Sequence, residues 1–190
     1  FTVAAGVNRL LLVTAADPLA VDVSGVTFAG TAMTRATQAV NDVAVASIWY
    51  LPLGSSATAT SGNVVMTSAG GEQRFLAATV FEGVLQQTPV NSPQTARNDF
   101  SGNSSLTLTS SAGDMTFDLF ASYSNGTTPT ASFAAGQTLV SQGAGAIPSL
   151  GAARFATSTK AGASSVAMSW TSSGQYSQQA GINIRQSPLP

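Results

Sequence analysis

Eight carboxylates carry most of the acid–base capacity of this chain: Asp17, Asp22, Asp42, Glu72, Glu82, Asp99, Asp114 and Asp118. There is no histidine and no cysteine. That removes the Ser-His-Asp triad, thiol nucleophiles and the His and Cys metal ligands. Glycoside hydrolysis needs two carboxyls facing one another across a cleft. Asp114 and Asp118 share a face of an extended segment but lie roughly 13 Å apart along it, too far for a retaining pair. Asp114, following Gly113, reads better as a turn residue. Calcium needs clustered oxygen ligands; the nearest candidates, Asp17 with Asp22 and Asn98 with Asp99, are sparse. No GxSxG, P-loop or GxGxxG motif occurs. The expectation is therefore a chain with no catalytic residues, no metal and no cofactor, and not an enzyme.

Sugar binding would use exposed aromatic rings as amphipathic platforms. Trp49 and Trp170 fall on strongly apolar strand faces and read as core. Tyr50, Tyr123 and Tyr176 are freer and are the candidate glycan contacts. Asn103-Ser104-Ser105 and Asn125-Gly126-Thr127 match the N-glycosylation sequon.

The elements that would hold such residues are strands. Turn chemistry at Ala29-Gly30, Gly70-Gly71, Ala112-Gly113-Asp114, Asn125-Gly126, Ala161-Gly162 and Ser173-Gly174 separates runs of strand-like residues. Strands are expected near 1–5, 9–16, 24–30, 32–38, 43–51, 62–68, 74–82, 104–110, 114–122, 131–141, 152–159, 164–171 and 178–185. No segment sustains a helical apolar stripe. About a dozen short strands at this spacing predict an all-β fold, an antiparallel β-sandwich of jelly-roll-like form, with residues 1–190 as a single domain. The stretches 82–104 and 140–153 read as loops. No internal repeat of fixed period is evident.

Some strands alternate cleanly. Val166, Met168 and Trp170 share one face, and Met115, Phe117 and Leu119 another, with Thr116 and Asp118 opposite. Three runs differ: 9–16, 43–51 and 74–82 are apolar on both faces. In 43–51, Val43, Val45, Trp49 and Leu51 make one face. These runs are expected at the centre of one sheet, with something packed on its outer side. Ile147 and Leu150 of the 140–153 loop could contribute; the expected cover is a second subunit, which makes Leu11 and Val13 the candidate assembly contact, or else the N-terminal run pairs with a neighbour's open edge.

Only 8% of residues are charged and the net charge is −1, against roughly 25% charged in ordinary globular proteins. That leaves no electrostatic field for nucleic acid or anionic lipid. No apolar run approaches the ~20 residues of a membrane helix, so no membrane insertion is expected. Ser and Thr, 25 and 22 in number, take the polar role usually held by Lys and Glu. With 31 Ala and 18 Gly, the composition is similar to that of bacterial surface and virion proteins. The strand-like start at Phe1 suits a cleaved signal peptide or an excised domain. The closing Arg185-Gln186-Ser187-Pro188-Leu189-Pro190 reads as a linker, with the remnant of a surface-sorting signal as the alternative.

Taken in order, "TVAAGVNRLLLV" (2–13), "VSGVTFAGTAMTRAT" (23–37), "ASIWYLPLG" (46–54), "GNVVMTS" (62–68), "AATVFEGVLQQTPV" (77–90), "SSAGDMTFDLFA" (110–121) and "SVAMSWTSSG" (165–174) resemble a recurrent β-sandwich module. It belongs to secreted bacterial surface proteins and phage-encoded structural proteins. The resemblance covers most of the chain and implies a jelly-roll-like sandwich without catalytic residues.

These readings converge on a non-enzymatic, extracellular or cell-surface structural protein, a self-assembling subunit of a fibre or appendage. The expected partner is a further copy of itself, as a homo-oligomer or polymer. The alternatives are a decoration or fibre domain on a virion surface, and an adhesive module that binds a surface glycan.

Overall fold

A computed structural model describes residues 1–18, 22–41, 44–69, 74–147 and 151–188. Asp42, Val43, Gly70-Gly71, Glu72, Leu150 and Pro190 lie outside the described residues. The first half contains β1 (Thr2–Val3), β2 (Gly6–Pro18), β3 (Val23–Phe28), β4 (Thr31–Ala32), β5 (Thr34–Asn41), β6 (Ala44–Ser56), β7 (Thr60–Ser61), β8 (Val64–Ser68) and β9 (Phe75–Phe81). The second contains β10 (Val90–Asn98), β11 (Ser104–Leu108), β12 (Met115–Ser124), β13 (Ala131–Phe133), β14 (Thr138–Ile147), β15 (Gly151–Ala161), β16 (Val166–Ser172) and β17 (Tyr176–Ile184). Among the described residues there is no helix, and every strand pairing is antiparallel.

Two large sheets, ordered β5-β6-β2-β9 and β10-β17-β12-β15-β14, lie face to face. Between them sits the main core, with Leu10, Leu12 and Ile48 from one side against Phe117, Leu119, Phe155 and Ile182 from the other. Each large sheet is covered on its outer face by a small one. The sheet β4-β3-β8 covers the first, and β11-β16-β13 covers the second.

The doubly apolar runs are explained by this layering. β6, β2 and β9 are neighbours in one sheet, as their patterns require. Leu10 and Leu12 face the main core, while Leu11, Val13 and Ala15 face the outer cluster with Val26, Phe28, Trp49 and Met66. The cover over Leu11 and Val13 therefore comes from the same chain. Both are 0% exposed, which corrects the expectation that they form an intermolecular contact.

Two further corrections concern the expected loops. Residues 90–98 form β10 at the edge of the larger sheet, and residues up to Ile147 belong to β14. β10 reads poorly as a strand because it carries Pro93 and few apolar residues. The register shift between Asn91 and Gln94, with Ser92 at φ 50°, absorbs the proline, and edge strands tolerate such a break.

Turn chemistry is more legible. The two-residue loop Ala29-Gly30 joins Phe28 to its partner Thr31 with φ of 49° and 80°. That is the left-handed pair a tight hairpin needs, and Gly adopts it at little cost. In the second half, the amide of Gln137 donates to the carbonyl of Ala134 (3.2 Å) across Gly136 at φ 83°.

These turns belong to a structural repeat that the sequence does not display at a fixed period. In chain order, β2, β3, β5, β6, β8 and β9 correspond to β12, β13, β14, β15, β16 and β17. Every pairing recurs: β2–β6 with β12–β15, β2–β9 with β12–β17, β5–β6 with β14–β15, and β3–β8 with β13–β16. The edge hairpins even share a bulge, between Arg35 and Thr37 and between Leu139 and Ser141. Twelve of the seventeen strands thus form two six-strand units stacked through their large sheets.

Candidate functional site

The most concentrated chemistry lies under the small sheet of the second unit, around Asp118. Its position on β12 sets its side chain opposite Phe117 and Leu119, away from the main core. Its Oδ1 accepts from the Ser158 amide (3.1 Å) and hydroxyl (2.6 Å). Its Oδ2 accepts from Trp170 Nε1 (2.7 Å) and Gln179 Nε2 (2.7 Å). Gln137 extends the network: its Nε2 donates to Ser158 Oγ (2.9 Å), and its Oε1 accepts from the Ser169 amide (2.7 Å). Asp118, Gln137, Ser158, Trp170 and Gln179 are all buried. Both carboxylate oxygens are engaged by buried donors, so the cluster ties four strands together, β12, β15, β16 and β17.

Burial without a cation raises the Asp118 pKa from 3.8 to about 6, against the lowering effect of the Ser158, Trp170 and Gln179 hydrogen bonds. Burial likewise raises Asp17, opposed by the Ser68 hydroxyl (2.7 Å) and by Arg74 (3.6 Å). Unfolded aspartate ionises near 3.8. Between that value and about 6 the folded chain holds an extra proton at Asp118, so stability falls as pH rises through this window and is level above it. The expected result is a chain about 2 kcal/mol more stable to urea at pH 4 than at pH 7 from this group. Asp118→Asn removes most of that dependence. Wild-type stability that climbs with pH across the window would contradict the assignment.

The other sequence candidates separate. Asp114 accepts from Asn183 Nδ2 (2.9 Å) and the Gln186 amide (2.9 Å), a network distinct from that of Asp118. Asp22 pairs with Arg35 (3.0 Å), whereas Asp17 turns to Ser68 and Arg74. Asp99 pairs with Arg97, and Asn98 closes the adjacent loop onto the Phe100 amide. Among the described residues, no three His, Cys, Asp or Glu side chains gather where a metal could bind.

The tyrosines do not form a platform. Tyr123 is buried in the main core and T-stacked on Phe155. Its phenol has no hydrogen-bond partner, and burial and then the Asp17 charge push its pKa upward. It is therefore withdrawn as a glycan contact. Tyr176 is half-buried against the same core. Tyr50 lines a small cavity of about 180 Å³ with Arg35, Asn91 and Pro93. Both tryptophans are core residues. Trp170 stacks on Phe120 (5.0 Å, 6°), and Trp49 Nε1 donates to Ser47 Oγ (2.9 Å).

A groove between two sheet edges has another character. It holds about 590 Å³ between β8 and β9 and is lined by Phe1, Asn63, Val64, Val65, Leu76, Ala77 and Ala78. No lining side chain is charged. Phe1 and Val65 are each 50% exposed and Leu76 39%. β8 and β9 are both terminal strands of their sheets among the described residues, so two sheet edges flank a floor of mostly apolar side chains. Sequence reasoning missed this site. Residues 74–82 do read as apolar on both faces, but only the strand order shows that β9 has one neighbour.

Comparisons with family models, with curated proteins and with solved structures each find no match.

Proposed function

We propose that this chain is a non-enzymatic structural protein that associates with copies of itself through the open β8–β9 face, as a subunit of an extracellular surface fibre or appendage. The observation that carries this reading is the paired open edges over an apolar groove. An uncovered strand edge recruits further strands unless charge, proline or a bulge blocks it. β9 contains none of the three: its sequence is FLAATVF and its register with β2 is unbroken. The low charge of the chain adds little repulsion. As to the finer fold, we read the facing sheets as a sandwich built from two similar units, in place of jelly-roll connectivity. A virion decoration or fibre domain fits the same features.

Light scattering over a concentration series tests the reading. Wild-type protein is expected to grow beyond the monomer, and Leu76→Lys or Val65→Lys, both at exposed positions, to stay monomeric and folded. A wild-type chain that remains monomeric at millimolar concentration would contradict it. The carbohydrate alternative rests on a polar cleft of about 280 Å³ lined by Asn91, Ser110, Asp114, Asn183, Arg185 and Gln186. Glycan binding that is lost in Arg185→Ala would favour that alternative.

A further inference from the structure

The second unit shows what covers the edges that the first leaves open. In it, β10 pairs along the free side of β17, and β11 along the free side of β16. The corresponding strands of the first unit are β9 and β8. Register fixes the correspondence to the residue. Phe28 pairs with Val64 as Phe133 pairs with Trp170. Four residues earlier on those strands, Thr60 pairs with Val3 as Val166 pairs with Leu108. β1 is thus the counterpart of the end of β11, and Phe1 occupies the place of Leu106.

Phe1 and Gly62 exchange both backbone hydrogen bonds (3.0 Å each), continuing that pairing. The next pairings in the second unit, Ser105 with Ser169 and Ser104 with Trp170, have as counterparts Asn63 and Val64, which line the groove. Beyond them, the pairing of β10 with Gly181, Ala180, Gln179 and Gln178 has its counterpart on β9, from Ala78 back to Phe75. Nothing among the described residues fills either place.

We propose that the β8–β9 groove is a docking site for an extended polypeptide arm. The arm runs antiparallel to β9 and ends beside Phe1, as residues 90–105 lie on the second unit. The chemistry of the site sets the chemistry of the arm. The uncharged walls of Val64, Val65, Leu76 and Ala78 take small or aliphatic side chains at alternate positions, and the strand edges supply main-chain hydrogen bonds. Within the second unit's arm, Val90 and Ala96 pack inward in this way. The proposal rests on the structural reading above, with the arm as the neighbouring subunit's contribution. Strand donation of this kind is head-to-tail and builds an open chain of subunits.

The test joins a copy of residues 88–105 directly in front of Phe1 in the full chain and follows amide exchange. The expected result is a monomer in which the outward-facing amides of 76–81 and 63–66 exchange at least tenfold more slowly. A scrambled extension of the same composition leaves them unchanged. The free 88–105 peptide is expected to protect the same amides of the unextended chain at high concentration. Unchanged exchange in the extended chain, or equal protection by the scrambled one, overturns the proposal. If copies of the unextended chain associate through β9 while the arm fails, the arm is wrong and the structural reading stands; if neither occurs, both fall.

Discussion

Val13→Lys yields a chain that does not fold. Val13 is sealed between β2 and the small sheet, with Leu11, Val26, Phe28, Val45 and Trp49 in the same cluster. An ammonium there has no carboxylate within that apolar set, and the longer side chain also overpacks it. An unpaired buried charge costs several kcal/mol and overpacking roughly 1–3 more, against a total stability of about 5–15 kcal/mol for a typical domain. Leu11→Lys acts through the same cluster. Circular dichroism and size exclusion of the two variants decide the matter. Unfolded or aggregated protein is the expected result. A folded monomer that has lost only the ability to assemble would place both side chains at an intermolecular contact instead.

Trp170→Ala costs about 3–5 kcal/mol, the range for an aromatic lost from a packed core. The indole lies stacked on Phe120 and edge-on to Phe133 (5.5 Å, 71°), and its Nε1 supplies one of the two donors to Asp118 Oδ2. Truncation therefore opens a cavity and weakens a buried carboxylate's hydrogen bonding together. Trp170→Phe separates the two contributions: the ring stays and only the donor is lost, for about 1–3 kcal/mol. Denaturant melts of the two variants at pH 7 provide the check. A Trp170→Ala chain as stable as wild type would show that the indole is not part of the core.

Much of the layering was legible because burial leaves a periodic trace. The alternation of Val166, Met168 and Trp170 marks a half-buried strand, and β16 has that pattern. The two apolar faces of 9–16 demanded a cover, but the pattern could not say whose. The answer depends on β3 and β8, short strands whose role appears only when they close over β2. Asp118 was legible as a polar residue opposite Phe117. Its burial was not, because the donors that make it tolerable come from Ser158, Trp170 and Gln179, as far as 61 residues away.

The repeat escaped notice for a similar reason. What the units share is pairing, and equivalent positions differ in chemistry. Val13, paired with Trp49 and Ala78, corresponds to Asp118, paired with Ser158 and Gly181. One unit fills its outer layer with apolar side chains, and the other sets a hydrogen-bonded network among them. Even at Gly181, a side chain would come within 3.0 Å of Leu106, so the covering strand β11 has shaped the sequence beneath it. Only short echoes survive in sequence, such as Thr27-Phe28-Ala29-Gly30 beside Ser132-Phe133-Ala134-Ala135-Gly136.

The difference between the two units' edges is the centre of this account, and residue-resolved amide exchange on β9 and β17 measures it. In dilute monomer, the β9 amides that face away from β2 are expected to exchange at near-unfolded rates, while their β17 counterparts, covered by β10, are protected to the global limit. As concentration rises and subunits join, protection of β9 should approach that of β17. Equal protection of the two strands in dilute monomer, or β9 amides that stay fast in the assembled state, would contradict it.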